Sequence, residues 1–179
     1  PHLGTPWALA APDYGIRKLI VDRVRQLRRR GELKQAYDLS TRVHQGWLEH
    51  SGPDERWVLH MGFQIANILR AQGRYKEALE LDMDVLHRQE AALDSPHDLH
   101  ILMTSGGVAA DLRGLGRYSE ALERDRLNHE QFLELFGEDH PRSLMAANNL
   151  AVCLRVLGQY LDALRLDRRT METRNKILG

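Results

Sequence analysis

Apolar residues along the chain recur at intervals of three and four positions, which is the spacing of one face of an α-helix. In the stretch 144–157, for example, this spacing aligns Leu150, Leu154 and Leu157. Gly158 then ends the pattern, and a second helical pattern starts directly after it. No segment shows the strict alternation of apolar and polar residues that a half-buried strand requires. The pattern predicts an all-α chain.

One short string of residues occurs four times along the chain. It reads GELKQAY from Gly31, GRYKEAL from Gly73, GRYSEAL from Gly116 and GQYLDAL from Gly158, at spacings of 42, 43 and 42 residues. Such self-similarity is the signature of a repeat array, in which one helix pair cannot bury its apolar face alone and therefore stacks on its neighbours. The sequence predicts a superhelical solenoid of four helix-turn-helix repeats with about eight antiparallel helices.

Two further columns appear when the four glycines are aligned, an Arg three residues before each glycine and an Ala five residues after it. Their members are Arg28, Arg70, Arg113 and Arg155, and Ala36, Ala78, Ala121 and Ala163. Ala lets two helix backbones approach closely, and the Leu or Tyr two residues after each glycine is expected to fill the wedge beside the turn. Each repeat should therefore be a tightly packed helix pair.

Proline- and glycine-containing turns set the expected boundaries. The repeats run approximately over 14–52, 53–94, 95–137 and 138–179, after a lead over 1–13 that we interpret as a linker or N-terminal extension. The start at Pro1 and the abrupt end at Gly179 indicate a fragment of a longer protein. Contact with a neighbouring domain of the parent chain is an interpretation of the basic run over 23–30. In such a fragment, the last helix leaves apolar residues without a cover, which predicts a continuing array or self-association. These residues are Leu161, Leu164, Leu166, Met171, Ile177 and Leu178.

The columns resemble the tetratricopeptide repeat. Its pattern of Leu, a small residue, two residues, Leu, three residues, Gly, any residue, Tyr, two residues and Ala is matched best from Leu150 to Ala163. The period of 42 instead of about 34 is similar to the kinesin-light-chain type of this repeat. The resemblance covers residues 14–179 and implies a right-handed solenoid that binds proteins or peptides.

The chain contains the string VAADLRGLGRY and uses 21 Arg against 4 Lys. In these two features it also resembles the repeat arms of bacterial signalling proteins of the STAND or NB-ARC type, and tetratricopeptide proteins of FxSxx-COOH systems. This resemblance implies a bacterial, cytoplasmic protein. It also keeps an alternative to peptide binding open, namely a structural sensor or oligomerisation arm of a larger nucleotide-dependent signalling protein.

In the family that the chain resembles, the first helix of each repeat lines a concave face that contacts the ligand. Carried over by column, the resemblance implies a peptide-binding face of eleven residues. They are Lys18, Arg25, Arg28, His60, Phe63, Asn67, Arg70, Arg113, Met145, Asn148 and Arg155. Guanidinium forks and amides suit carboxylates and peptide backbone, so the expected partner is an acidic peptide or one that ends in a free carboxylate.

Structural roles stay open for the same residues. A cation near a helix C-terminus interacts favourably with the helix dipole, by about 0.3–1 kcal/mol, which would explain the Arg column without a ligand. Asn148 could equally form a hydrogen bond between helices. Asp82, Asp84 and Asp167 are expected to form ion pairs on helix surfaces at helical spacing.

Charge and composition remove several function classes. The chain has 25 Lys and Arg against 25 Asp and Glu, so no overall basic field exists for nucleic acid. The basic run over 23–30 lies in a helical pattern and carries no recognised nucleic-acid motif. No apolar run is long enough for a membrane span, and no signal peptide is visible. We expect a cytoplasmic protein with neither a membrane nor a nucleic acid as its partner.

Sequence motifs of enzymes are missing. Phosphate loops, dinucleotide fingerprints, zinc-protease strings and nucleophile elbows do not occur. His97 and His100 stand three residues apart, but two imidazoles without a third ligand make a weak metal site, and Asp98 is interpreted as a helix cap. Cys153 aligns with Ile68 and Asp111 and is interpreted as a helix-packing residue. The sequence predicts no enzyme activity, no cofactor and no metal.

Overall fold

Glycines, prolines and capping residues separate eight helices in the part of the chain that a computed structural model describes, residues 13–92 and 98–178. The chain divides between Asp94 and Ser95 into two compact halves, here called the N-terminal and C-terminal halves. The first contains α1 (Tyr14–Arg29), α2 (Leu33–Ser51), α3 (Arg56–Ala71) and α4 (Tyr75–Ala92). The second contains α5 (Leu99–Gly114), α6 (Tyr118–Phe136), α7 (Pro141–Val156) and α8 (Tyr160–Leu178). Within each half, every helix packs against the next one along the chain.

The predicted all-α fold class is confirmed, since the described residues contain helices and short turns without a strand. The lead over 1–13, apart from Asp13, and the predicted turn at 94–96 lie outside the described residues. Asp13 is the N-cap of α1, and its carboxylate accepts a hydrogen bond from the backbone N–H of Ile16 at 2.9 Å.

The glycine column ends the first helix of each repeat for a backbone reason. Gly31, Gly73, Gly116 and Gly158 have φ angles of 78°, 76°, 75° and 76°, a left-handed conformation that side chains disfavour. Each glycine N–H donates to the carbonyl oxygen of the preceding column Arg, as Gly31 does to Arg28 at 3.0 Å. The next residue donates to the carbonyl of Leu27, Leu69, Leu112 or Leu154, which completes a Schellman C-cap.

Buried small residues hold the two helices of each repeat together. The Ala column is 0%, 0%, 0% and 1% exposed in chain order, as close backbone packing requires. The Tyr column fits less uniformly, because Tyr75 and Tyr118 are half-buried whereas Tyr160 is 68% exposed. The ring of Tyr160 therefore does not fill a wedge in the last repeat. In the N-terminal half the core surrounds Trp47, which is fully buried among Ile20, Val24, Met61 and Ile68.

Candidate functional site

Three of the four column arginines are joined to a carboxylate of the second helix in the same repeat. Arg70 pairs with Asp82, Arg113 with Asp125, and Arg155 with Asp167, always twelve residues apart across the turn. We call these contacts the Arg–Asp column. Each contact gives the guanidinium group a hydrogen-bond acceptor and a counterion within its own repeat. The column therefore has a structural role in these three repeats.

Burial of the Arg–Asp column differs between the repeats. Asp82 is 0% exposed and Asp125 is 1% exposed, whereas the side chain of Asp167 is 42% exposed. The expectation that Asp82 lies on a helix surface was wrong, because its carboxylate points across the helix pair toward Arg70. Asp84 forms the expected pair at helical spacing, with Arg88 at 2.9 Å. A sequence pattern shows spacing along one helix but not which side chains meet across a turn.

Burial controls the chemistry of the pair in the third repeat. It raises the pKa of Asp125 above its ordinary value, against the opposing effects of Arg113 and of a hydrogen bond from Cys153. The Cys153 Sγ donates to Asp125 Oδ2 at 3.2 Å, and burial with this neighbouring carboxylate raises the thiol pKa to about 11. Cys153 is 0% exposed and stays protonated near neutral pH, which agrees with its interpretation as a helix-packing residue.

The first repeat breaks the Arg–Asp column. The residue twelve positions after Arg28 is Ser40, which is fully buried and donates its hydroxyl to the carbonyl of Tyr37 at 3.0 Å. Among the described residues, the buried Nε of Arg28 has no hydrogen-bond partner. Burial lowers the pKa of Arg28, and the charges of Arg29, Arg70 and Arg25 lower it further. Arg28 is thus a half-buried cation among cations.

Five of the predicted face residues on α1 and α3 form one chain of contacts, and the charges of two of them, Arg25 and Arg70, act on Arg28. Arg25 Nη2 donates to His60 Nε2 at 3.0 Å, so His60 is an acceptor there. The His60 and Phe63 rings are 6.5 Å apart between centroids. Asn67 Nδ2 donates to the carbonyl of Phe63 at 2.8 Å, and its Oδ1 accepts from Arg70 Nη1 at 2.9 Å. Arg25, Arg28, His60, Phe63, Asn67 and Arg70 are called the first cluster below.

Three other predicted face residues, Lys18, Met145 and Asn148, do not belong to the first cluster. Lys18 is exposed on α1, two turns before Arg25. In the C-terminal half, Met145 is 51% exposed and Asn148 is exposed, both on α7. Their exposure leaves these three side chains accessible to a partner.

The sequence analysis missed buried charged residues such as Arg17 and Asp125. Arg17 is 4% exposed, and its Nη1 forms an ion pair with Glu55 Oε2 at 2.8 Å. Its Nη2 donates to Ser51 Oγ at 2.8 Å, and its guanidinium carbon lies 5.1 Å from the centroid of the Trp47 ring. The signal was present in the alignment, because later repeats hold Leu59, Leu102 and Leu144 in the column of Arg17.

Over residues 13–92 and 98–178, the chain contains no group of three or more His, Cys, Asp and Glu arranged to hold a metal ion. His97 is outside it, and Asp98 caps α5 by accepting from the N–H of His100 at 2.7 Å, as predicted. None of the helices described is both long and apolar enough to cross a membrane.

Comparisons with known proteins agree with this geometry. Family models described as tetratricopeptide repeat match residues 64–98 and residues 98–176. The chain carries tetratricopeptide repeats. Modules of this family are typically protein-interaction scaffolds and are generally non-catalytic. No curated protein sequence matches the chain.

Solved structures of similar tetratricopeptide fold cover almost the whole chain. A protein of Podosopora anserina with nearly identical kinesin-light-chain, TPR-like repeats has 19% identity and a TM-score of 0.70, over 99% of this chain and 80% of its own. BtubC (BKLC) from P. vanneervenii has 18% identity and a TM-score of 0.77, over 96% and 65%. RapI in its apo form has 15% identity and a TM-score of 0.76, over 95% and 60%. At these identities the likeness shows the fold.

Proposed function

We propose that this chain is a non-catalytic protein- or peptide-binding module whose first helices contact an acidic or carboxylate-ending peptide. The observation that carries the proposal is the exposure of Lys18 on α1 in the N-terminal half, and of Met145 and Asn148 on α7 in the C-terminal half. A half-exposed methionine and accessible polar groups suit an extended peptide. PlcR of Bacillus thuringiensis, solved with the peptide PapR7 and DNA, shares the fold with a TM-score of 0.60 and 15% identity. We further propose that the module acts in the cytoplasm, within a bacterial signalling protein.

The internally paired arginines are unsuitable for testing this proposal. Arg70→Ala would leave the buried Asp82 without its ion pair, and loss of folding would then be measured as loss of binding. Lys18, Met145 and Asn148 are exposed, and substitutions there should change stability by no more than about 0.5 kcal/mol.

A face variant, Lys18→Glu with Met145→Glu and Asn148→Asp, should lose binding to peptides selected from a displayed library by the unmodified chain. The matched control is Lys76→Glu with Met83→Glu and Asn175→Asp, which changes the same residue types on second helices. Met83 and Met145 are both 51% exposed, so the two variants differ in the helix face that they alter. Fluorescence polarisation with a selected peptide measures affinity, and circular dichroism verifies folding. Equal binding by the face variant and the unmodified chain would contradict the proposal.

A second function is favoured by the exposed apolar side chains of α8. Leu161 is 71% exposed, Leu164 48%, Met171 57% and Ile177 51%, while the side chain of Leu178 is outside the described part. Such side chains suit a helix-to-helix contact between copies in an oligomerisation arm. Sedimentation velocity should show a concentration-dependent dimer that Leu161→Glu with Leu164→Glu removes. A monomer at all concentrations would refute self-association.

A further inference from the structure

Within the proposed peptide-binding function, we infer that Arg28 is the anchor that binds a carboxylate of the peptide. In the other three repeats the acid for the column arginine is internal, as Asp82, Asp125 or Asp167. In the first repeat that position is Ser40, so the ligand supplies the missing acid. The break in the Arg–Asp column therefore marks a binding position.

The surroundings of Arg28 favour an external anion. Its Nε is buried and has no hydrogen-bond partner among the described residues, which leaves a strong donor unsatisfied. Burial disfavours its protonated form, and the charges of Arg29, Arg70 and Arg25 disfavour it further. A bound carboxylate would accept from the Nη groups of the guanidinium and would offset the surrounding positive charge.

In the described part of the chain, no side chain accepts a hydrogen bond from the buried Nε of Arg28. Ser40 donates its hydroxyl to a backbone carbonyl. Asn67 uses its amide oxygen on Arg70 and its amide nitrogen on the carbonyl of Phe63. His60 accepts from Arg25, so its Nε2 lone pair is occupied. The first cluster is thus internally hydrogen-bonded except at Arg28.

The chemistry of the first cluster selects a peptide carboxylate. A guanidinium presents a planar fork of donors that matches a planar carboxylate. A nucleic acid backbone would need several unpaired cations in a row, whereas Arg70 and Arg25 are engaged with their own neighbours.

Titration with glutarate, a minimal dicarboxylate, tests the anchor directly. The NMR signal of the Arg28 Nε–Hε group, assigned through Arg28→Lys, should shift saturably, while that of Arg155 should not. Arg28→Ala and Ser40→Asp should each weaken glutarate binding by about ten- to a hundredfold, the range for a charge-assisted hydrogen bond. Ser40→Asp is the sharper variant, because it restores the pair of the other repeats and should keep the fold. An unshifted Arg28 signal, or unchanged affinity of Ser40→Asp, would overturn the inference.

Two short peptides distinguish the source of the carboxylate. One is Ac-Ala-Ala-Glu-Glu with an amidated end, and the other is Ac-Ala-Ala-Gln-Gln with a free C-terminal carboxylate. The peptide that shifts the Arg28 signal identifies the side-chain or the terminal carboxylate as the ligand group, and either result supports the anchor. If library-selected peptides bind Ser40→Asp with the same affinity as the unmodified chain, the peptide-binding function stands and the anchor fails. If glutarate shifts Arg28 but no library peptide binds, the anion site stands and the peptide-binding function fails.

Discussion

Asp125→Ala should lower the free energy of unfolding by about 3–5 kcal/mol, because it removes one partner from a buried ion pair. Asp125 is 1% exposed, and it accepts from Arg113 and from Cys153. With alanine in its place, Arg113 loses both its counterion and its acceptor while staying 15% exposed. Urea denaturation followed by circular dichroism measures the change.

The fourth repeat provides the matched control. Asp167 forms the same column pair with Arg155 at 2.5 Å, but the two side chains are 42% and 43% exposed. Water can solvate each charge when its partner is removed, so Asp167→Ala should cost only about 0–1 kcal/mol. Equal losses for Asp125→Ala and Asp167→Ala would show that burial does not set the strength of the column.

Titration of Asp125 makes the free energy of unfolding depend on pH, and the direction of its pKa shift sets the sign of that dependence. Its pKa is raised in the folded chain by burial, so its titration contributes stability below the unfolded value of about 3.9. That contribution is lost as the pH rises through the raised pKa. Asp125→Asn keeps an oxygen acceptor but cannot ionise. The unfolding free energy of the unmodified chain should therefore fall relative to that of Asp125→Asn as the pH rises from about 4. A difference that moves the opposite way would mean that Arg113 outweighs burial.

The backbone of this fold could be predicted from sequence because its constraints are local. A left-handed residue such as Gly73 requires no side chain, and a closely packed helix position such as Ala78 requires a small one. Both constraints recur at every repeat and are visible as columns. The Arg–Asp column recurs too, but its two members lie on opposite sides of the turn. Sequence periodicity along one helix cannot indicate that Arg70 and Asp82 meet, or that Asp82 is buried whereas Asp167 is not.

The candidate site was harder to predict because residues in one column have different surroundings. The column position predicted a ligand contact for both Arg28 and Arg70, yet Arg70 is paired within its repeat. The difference comes from Ser40, a residue that an alignment of first helices alone does not include. Arg17 was missed for the opposite reason. It occupies a column of leucines, and its burial depends on Glu55 from the next repeat.

Glu55→Ala should therefore destabilise the N-terminal half strongly, by at least about 3 kcal/mol, for two reasons that act together. Arg17, at 4% exposure, loses its ion pair. The same carboxylate caps α3 by accepting from the N–H groups of Trp57 and Val58 at 2.9 and 3.1 Å, and loss of an N-cap costs about 1 kcal/mol. Urea denaturation measures the sum, and Glu55→Gln, which retains an acceptor, should cost less.

A second substitution separates the two contributions. Leucine is the residue that the other repeats place in the column of Arg17, so Arg17→Leu removes the buried charge and restores an apolar side chain. In the Glu55→Ala background, Arg17→Leu should recover most of the lost stability. The remaining loss should be that of the N-cap, about 1 kcal/mol. If Arg17→Leu recovers nothing, the buried charge is not what Glu55 balances, and the cost of Glu55→Ala lies in the helix cap and the packing of Trp47. Recovery would mean that the first repeat tolerates a buried arginine, where the other repeats hold leucine, because Glu55 of the next repeat balances its charge.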